Sequence, residues 1–449
     1  MLLMYHAACE DVNGETTPIH RKHAILGIIP FLLVQLTTPI YTFIYFMEGT
    51  RMAYPAPRST EAHWLRAFTF MIFMTSSVVV SYLPLYYKSL HFTSVQIGLL
   101  YSIGPLISII SNLFWGVTSD KLGTLKKVLI TLLVAQIILS VVLAQVSSYG
   151  MVALLLVCFY FFYFPIYPLN DSFAIMTAQA QGKSFIGIRV FGSIGFAVSA
   201  LLFGFILRSV GASYSIWVIV LLGVLSLGLA FPLTDKRATM KKMELSGLWV
   251  VLRQREVLLF FLFVLLLAIG HRLNEAFLGL SLSQIGADES LVGWAWMLSA
   301  LSEIPIFFLL NAYGEKFKEL PLLAFSGLTY TIRLLLIAVL QDPTWIVSTQ
   351  LLHSVSFGIF YFVAVRYISR VIPDEYRSTG LALYTIVWSS IAGLISGTFG
   401  GILMQSFGKD VLYEVAAGFS FIACLGFITM AIIARHSETA TIQKSSRHS

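Results

Sequence analysis

The sequence predicts an all-α membrane protein of about twelve transmembrane helices. Three observations support this: 57% of the 449 residues are hydrophobic, only 11% are charged, and the mean hydropathy is +0.84. A soluble globule of this length needs far more polar surface than that composition supplies. Long apolar runs recur between short polar loops, and each approaches the roughly 20 residues that span a bilayer as a helix. We therefore expect the fold to be surrounded mostly by lipid.

Residues 1–65 are an amino-terminal extension that does not fit a plan of twelve helices. The run 24–47 carries no charge and is long enough to span a membrane, which would put the amino terminus outside. Two interpretations stay open: a thirteenth helix, or a start codon assigned too far upstream, with translation beginning near Met52 or Met71. A cleaved signal peptide fits less well, because the apolar run is longer than a typical signal core.

The apolar runs from residue 66 onward predict helices 1 to 12 in two groups of six. A longer polar stretch with six basic residues separates the groups and predicts a cytoplasmic linker at 234–256. The amino-terminal bundle is then 66–233, the carboxy-terminal bundle 257–434 and the cytoplasmic tail 435–449. The helices are predicted at 66–87, 95–117, 127–146, 150–176, 189–208, 214–233, 257–283, 289–312, 320–341, 345–366, 380–404 and 411–434.

The placement of basic residues predicts the orientation in the membrane. If both ends of the twelve-helix core face the cytoplasm, the loops on that side, together with the tail, carry 19 Lys or Arg, and the opposite loops carry three. Lys and Arg accumulate on the cytoplasmic side of membrane proteins. We therefore expect a cell membrane protein with a cytoplasmic carboxy terminus. The net charge of +7 does not indicate nucleic-acid binding, because the basic residues are not gathered on one face.

Neither cofactors nor enzyme chemistry are expected. Cys9, Cys158 and Cys424 lie far apart without metal-ligand spacing. The chain has no phosphate-binding loop, no HExxH motif and no GxSxG nucleophile elbow. We therefore expect no catalytic residues and no metal site.

Small residues occur at matching positions of helices 5 and 11. Such residues let helix backbones approach closely in lipid, and their recurrence in the fifth helix of each half favours a repeated six-helix unit. Plain tight packing explains them equally well. They are Gly192, Gly195 and Ser199 in helix 5, and Ser389, Gly393, Gly397 and Gly401 in helix 11.

The loop between helices 2 and 3 reads GVTSDKLGTLKK, residues 116–127. Gly116 and Gly123 permit close backbone approach and a tight turn. Asp120 can pair with a basic group or a helix end, and Lys121 favours the cytoplasmic surface. The pattern resembles the signature loop of the major facilitator superfamily. That resemblance implies the major facilitator fold and a role for these four residues in latching the cytoplasmic gate; a generic polar turn is the alternative.

Charged and histidine side chains within the predicted helices are the best candidates for a site. A charge at the bilayer centre costs at least ~2.5 to 3.5 kcal/mol on insertion scales, so such groups usually face a partner or a water-filled cavity. They are Asp171, Arg189, His271, Arg272, Glu275, Glu303, Arg333 and His353.

Asp171 and Arg189 lie on consecutive helices, the first in a proline-rich segment that predicts a kink. They are either a structural ion pair or a clamp for a substrate, since Arg donates two parallel hydrogen bonds and Asp accepts from hydroxyls or amines. Their separation and the following RVFGSIG are similar to the lactose permease branch of the superfamily, a resemblance that extends over residues 80–408. It implies that Asp171 and Arg189 are a pair that binds a sugar. Phe196 stands where the permease has a Trp that stacks on the sugar.

The carboxy-terminal half extends this resemblance. Glu303 in LSEIP, Arg333 in YTIR and His353 in QLLHSVSFG match the acidic, arginine and histidine residues of the permease coupling site. Buried, hydrogen-bonded structural residues are the alternative. Ser356 replaces the carboxylate implicated in proton release, so proton coupling does not simply carry over. Two permease ion pairs are also replaced, by Asn274, Gln350, His271 and Ser389.

These features together predict a secondary transporter that works by alternating access, most simply a proton symporter for uptake of a small organic solute such as a sugar, nucleoside or aromatic acid. Expected partners are the solute, protons and the lipid bilayer, and the expected state is a monomer. Uniport, export and a non-transporting sensor or assembly factor stay open. The predicted substrate-binding residues are Asp171, Arg189, Phe196, His271 and Asn274, and the predicted coupling residues are Glu303, Arg333 and His353.

Overall fold

The computed structural model describes residues 60–236, 253–373 and 376–445. The predicted extra helix at 24–47 and most of the predicted linker lie outside these ranges. Ten stretches of the described chain are long and apolar enough to cross a membrane. One of them, Thr379–His436, turns at Gly408, whose φ of 80° is not helical, so it contains two helices. With the 25-residue helix Glu289–Tyr313, the predicted twelve are present.

The helices agree with the predicted order but differ at their ends. The first begins six residues before the predicted position, and the last continues eleven residues beyond it. The bounds are α1 Thr60–Ser89, α2 Ser94–Leu122, α3 Leu125–Leu143, α4 Tyr149–Ala180, α5 Ile186–Val210, α6 Ala212–Ala230, α7 Arg255–Gln284, α8 Glu289–Tyr313, α9 Glu319–Val339, α10 Pro343–Val371, α11 377–407 and α12 409–445.

Three helices contain a break or a π turn. The predicted kink in α4 is a break between Tyr149–Tyr163 and Ile166–Ala180, where Pro165 cannot donate a backbone hydrogen bond. Wider π turns occupy Ser354–Gly358 in α10 and Ile386–Ile391 in α11. Such turns leave backbone carbonyls out of the regular pattern and are frequent at functional sites.

Helices alternate in direction, so the bundle has two ends. We name them the Asp120 end, where α2 passes to α3, and the Asp288 end, where α7 passes to α8. Near the Asp288 end, α2 from the first half lies directly against α11 from the second. A Cβ atom on Gly397 would lie 2.3 Å from Ser102 Oγ and 2.5 Å from the Gly98 carbonyl. Ser102 donates to the Leu394 carbonyl across this contact, at 3.1 Å.

A second contact near the Asp288 end joins α5 to α8. A Cβ atom on Gly293 would lie 2.4 Å from the Ala200 carbonyl oxygen, so only glycine fits there. Arg208 Nε lies 2.9 Å from Asp288 Oδ2, just beyond the same interface. The two halves are therefore closely packed at the Asp288 end, by backbone approach that only small residues allow.

Enlarging Gly397 tests this packing. Gly397→Val places methyl groups where backbone atoms already lie, and overpacking of this kind costs about 1–3 kcal/mol. We expect the halves to separate at the Asp288 end. The measurement uses a cysteine placed at Val80 in a cysteine-free background and an impermeant maleimide. The labelling rate should rise roughly tenfold. Gly418→Val in α12, where a Cβ meets nothing within 4 Å, is the control; equal labelling of the two variants would contradict the packing argument.

A polar cluster at the Asp120 end joins the end of α6 to the start of α3. Asp235 Oδ2 accepts from Thr124 Oγ1 at 2.5 Å, and Oδ1 accepts from the backbone N–H groups of Lys126 and Lys236 at 3.1 and 2.9 Å. Burial acts to raise the pKa of Asp235, but these hydrogen bonds and the charge of Lys127 outweigh it and lower the pKa from its usual value.

Removing this carboxylate tests the cluster and its pH dependence. Because the pKa of Asp235 is lowered in the folded state, the stability contributed by its carboxylate is present above the unfolded-state pKa of about 3.9. This stability is lost as the pH falls through the folded-state pKa. We expect Asp235→Ala to reduce the free energy of unfolding by about 1 kcal/mol or less at pH 7, since the group is exposed. Thermal unfolding in detergent should show this difference shrink below about pH 4; a difference that grew on acidification would refute it.

Candidate functional site

Asp171 and Arg189 are brought together by the second segment of α4 and the start of α5. Arg189 Nε lies 3.5 Å from Asp171 Oδ1, and each side chain is a little over one-third exposed. The guanidinium carbon also lies 4.3 Å from the ring centre of Phe73 in α1, at a distance typical of a cation–π contact. The pair therefore neutralises itself and rests on an aromatic face.

Phe196 does not join this pair through a described contact. It lies seven positions after Arg189, which is two turns along α5. Its ring meets that of Trp296 in α8 edge to face, with centroids 6.2 Å apart. Phe196 thus packs across the contact between the two halves.

The three predicted coupling residues form one continuous hydrogen-bonded chain. Glu303 Oε1 in α8 lies 2.9 Å from His353 Nε2 in α10, and His353 Nδ1 lies 2.8 Å from Arg333 Nη1 in α9. Arg333 also donates to the side-chain carbonyl of Gln350. Only 1% of Arg333 is exposed, so these acceptors hold a fully buried cation.

Ser356 lies one turn beyond His353, inside the π turn of α10. Its hydroxyl donates to the carbonyls of Leu352 and His353 at 2.9 and 3.1 Å. Ser326 in α9 in turn donates to the Ser356 carbonyl at 2.6 Å. The position therefore holds a buried hydroxyl that is satisfied within its own helix.

His271 and Asn274 share one face of α7, since residues three apart are neighbours on a helix. His271 Nδ1 lies 3.1 Å from the Tyr330 hydroxyl in α9, and Asn274 Oδ1 accepts from Tyr413 in α12 at 3.3 Å. The His271 ring also stacks on Phe357 with centroids 5.0 Å apart. Both residues therefore face the interior of the second half.

Arg272 and Glu275 occupy the adjacent face of the same helix. Arg272 forms an ion pair with Glu275 and donates to two groups on α11, the Trp388 carbonyl at 3.2 Å and Ser389 Oγ at 2.9 Å. Tyr101 in α2 donates to Glu275 Oε2 at 3.2 Å. Trp388 and Ser389 lie in the π turn of α11, which presents the carbonyl that Arg272 uses.

A cavity of about 770 Å³ lies between the two halves, lined by α1, α2, α4, α7 and α11. It extends to Asp120 and Ala382 near the Asp120 end, and in the other direction to Tyr87 and Ile97. Arg272 and Glu275 line it, whereas its described lining does not include any of the predicted substrate-binding or coupling residues. Its other polar lining groups are Ser76, Tyr87, Tyr101, Ser108, Asn112, Asp120, Tyr160, Tyr163, Tyr167, Thr385, Ser389 and Ser390.

The sequence matches the family described as MFS_1 like over residues 62–415. The chain belongs to the MFS_1 like family. It is 25% identical over 368 residues to an uncharacterized transporter, YwbF, of Bacillus subtilis, covering 81% of this chain and 91% of that protein. It is also 25% identical to the maltose permease of Geobacillus stearothermophilus, covering 84% and 95%.

Among solved structures, the nucleoside transporter NupG superposes on this fold with a TM-score of 0.75. The match covers 83% of this chain and 99% of NupG at 16% identity, so it establishes the shared fold alone. The expected major facilitator fold, with two bundles of six helices, is thus confirmed. The protein is a multi-pass membrane protein of a transporter family.

The signature loop of this MFS_1 like chain has the geometry that a tight turn requires. Gly123 ends α2 with a φ of 61° and donates to the Asp120 carbonyl at 3.2 Å. Ser119 donates to the Gly116 carbonyl at 2.8 Å. Asp120 lines the cavity at its end, while Lys121 is exposed. The gating role predicted for these residues stays a prediction.

Two features of the cavity go beyond the roles predicted from the sequence. Arg272 and Glu275 are among the site candidates, but the sequence assigns them neither a substrate-binding nor a coupling role. The tyrosines of α4 were also missed, although the run FYFFYFPIYP signals an unusual density of aromatic rings. The three-residue spacing of Arg272 and Glu275 was the available signal. No group of three or more acidic, His or Cys residues suited to a metal ion occurs in the described ranges.

Gln350 provides a test of the buried network. Gln350→Leu removes one acceptor of Arg333 and leaves part of a buried cation unsatisfied, which costs roughly 1–3 kcal/mol. We expect a matching fall in the free energy of unfolding, measured by thermal denaturation in detergent. Gln341→Leu changes an exposed residue of the same half and should stay within about 0.5 kcal/mol of the parent. Equal stability of the two variants would refute a buried network that depends on Gln350.

Proposed function

We propose that this protein is a secondary active transporter that takes up a small organic solute by alternating access, coupled to protons. The observation that carries this is the cavity between the two halves, which has side chains from both halves on its walls. The halves pack closely near the Asp288 end, and the cavity reaches Asp120 at the other. This is the arrangement expected of one state of a transporter that opens to one side at a time.

The Asp120 end is proposed to face the cytoplasm. The imbalance of 19 basic residues against three supports this orientation, because basic loops are retained inside. The described state then corresponds to an inward-facing transporter in the cell membrane. We propose a monomer, since each chain has its own cavity between two halves.

Proton coupling is proposed to run through Glu303. This carboxylate shares a hydrogen bond with His353, which in turn contacts the buried Arg333. A proton bound at Glu303 or His353 would change the charge beside Arg333. Such a change favours a different arrangement of α8, α9 and α10, because a buried cation needs a compensating partner.

Facilitated diffusion is the second candidate, and Ser356 favours it. This residue supplies a hydroxyl satisfied by its own helix, where the resemblance implies a proton-releasing carboxylate. A uniporter of the same fold would use the same cavity without moving protons.

Solute-induced alkalinisation of lightly buffered cells or vesicles separates the two candidates. Sugars, nucleosides and aromatic acids are screened, and the hit is repeated with Glu303→Gln, which keeps the shape of the side chain but cannot bind the proton as a carboxylate does. We expect a pH rise in the parent that the variant loses.

Glu414→Gln, which alters an exposed carboxylate of α12, is the matched control and should keep the pH rise. Uptake of radiolabelled solute without any pH change would make the protein a uniporter. The absence of uptake of every solute by a folded protein in vesicles would refute transport itself.

A further inference from the structure

The charge balance of the cavity restricts what it can bind. Of the lining residues that the structure describes, Arg272 is the one basic side chain, and Asp120 and Glu275 are the acidic ones. Arg272 is already paired with Glu275. A carboxylate solute would therefore meet a guanidinium whose charge is already compensated.

Arg272 nevertheless retains hydrogen-bonding capacity. A guanidinium carries five N–H groups, and the described bonds of Arg272 use one on Nε, one on Nη1 and one on Nη2. Tyr101 is also hydrogen-bonded to Arg272, so one N–H of the terminal nitrogens is left. Both described hydrogen bonds of Glu275 end on Oε2, which leaves Oε1 as an acceptor. The pair thus offers one donor and one acceptor side by side.

Aromatic rings surround this pair. Tyr101 binds Glu275 from α2, and three tyrosines of α4 line the cavity beside it. The Tyr163 and Tyr167 rings lie 5.2 Å apart, edge to face. Ring faces and phenolic hydroxyls together suit a solute that has a flat or cyclic skeleton and several neutral hydroxyl groups.

We propose that Arg272, Glu275 and Tyr101 form the solute-binding subsite, and that it takes an electrically neutral, hydroxyl-bearing ring compound, a nucleoside or glycoside, in preference to a carboxylate. This rests on the proposed transport function. Adjacent solute hydroxyls donate to Glu275 Oε1 and accept from Arg272, while the tyrosine rings cover the face of the ring. Because Tyr101 and Glu275 belong to different halves, the subsite changes shape when the halves move.

A structural latch is the competing explanation, since the same three residues join α2, α7 and α11. The two explanations differ for solutes of different charge. Removing the negative charge of Glu275 leaves Arg272 without its ion-pair partner at the cavity. If the three residues form a binding subsite, the variant gains affinity for carboxylates. If they form a structural latch, the variant loses affinity for every solute.

Calorimetry on the purified full-length protein in detergent tests the proposal. The probes are thymidine, adenosine and maltose as neutral solutes and 3-phenylpropionate as the anion. We expect the parent to bind at least one neutral probe and to bind the anion more weakly. Glu275→Gln should weaken the neutral probe about tenfold or more, as expected for loss of a charge-assisted hydrogen bond, and should strengthen binding of the anion.

Tyr101→Phe is the second variant, because it removes one hydroxyl and keeps the ring; it should weaken the neutral probe severalfold and leave the anion unchanged. Asp288→Asn is the control for a latch, since it disrupts the ion pair with Arg208 near the Asp288 end without touching the cavity. Thermal unfolding checks that all variants are folded.

The proposal is overturned if the parent binds none of the neutral probes, if it prefers 3-phenylpropionate, or if Asp288→Asn weakens the neutral probe as much as Glu275→Gln does. Uptake is measured separately in proteoliposomes. Binding with the predicted charge preference but without uptake would refute the transport function and leave the subsite standing.

Discussion

A charged side chain in the bilayer core must be held by partners inside the protein, and this requirement organises the interior of the molecule. Arg333 is held by His353 and Gln350 through its terminal nitrogens, while its buried Nε has no hydrogen-bond partner. Arg272 is held by Glu275 and two groups of α11. The π turn in α11 presents a backbone carbonyl to Arg272. Arg333 thus joins α9 to α10, and Arg272 joins α7 to α11.

The two groups of hydrogen-bonded charges lie in different places in the molecule. The chain from Glu303 to Arg333 lies within the second half, among α8, α9 and α10. The Arg272–Glu275 pair lies at the cavity, where Tyr101 reaches it from the first half. His271 lies next to Arg272 in α7 and its ring stacks on Phe357, as does that of His353. The rings of His271, Phe357 and His353 therefore lie between the Arg272–Glu275 pair and the chain from Glu303 to Arg333.

Much of the fold could be predicted from the sequence, because membrane spans are set by length and apolar composition. The break in α4 could be predicted as well, since proline removes a backbone donor. The π turns could not, because they depend on contacts with neighbouring helices. The sequence also placed two residue pairs on α7, His271 with Asn274 and Arg272 with Glu275, but the face that meets the cavity depends on how the helix is rotated in the bundle.

The role of the small residues could be predicted only in part. Gly397 and Gly401 were expected to allow close approach, and they do, against α2. Gly98 and Ser102 in α2 have the same four-residue spacing of small residues, but the spacing does not show which helix they meet. Long-range partners of this kind depend on the assembled tertiary structure, which local patterns do not encode.

Alternating access is the central claim, and distances between spin labels in lipid nanodiscs test it most directly. One pair of labels at Leu122 and Thr385 reports on the Asp120 end, and another at Ser209 and Glu289 reports on the Asp288 end. Across pH 5 to 8, with and without a transported solute, the account predicts opposite changes, so that one pair shortens as the other lengthens. Fixed distances at both ends under conditions that support uptake, or changes of the same sign, would contradict it.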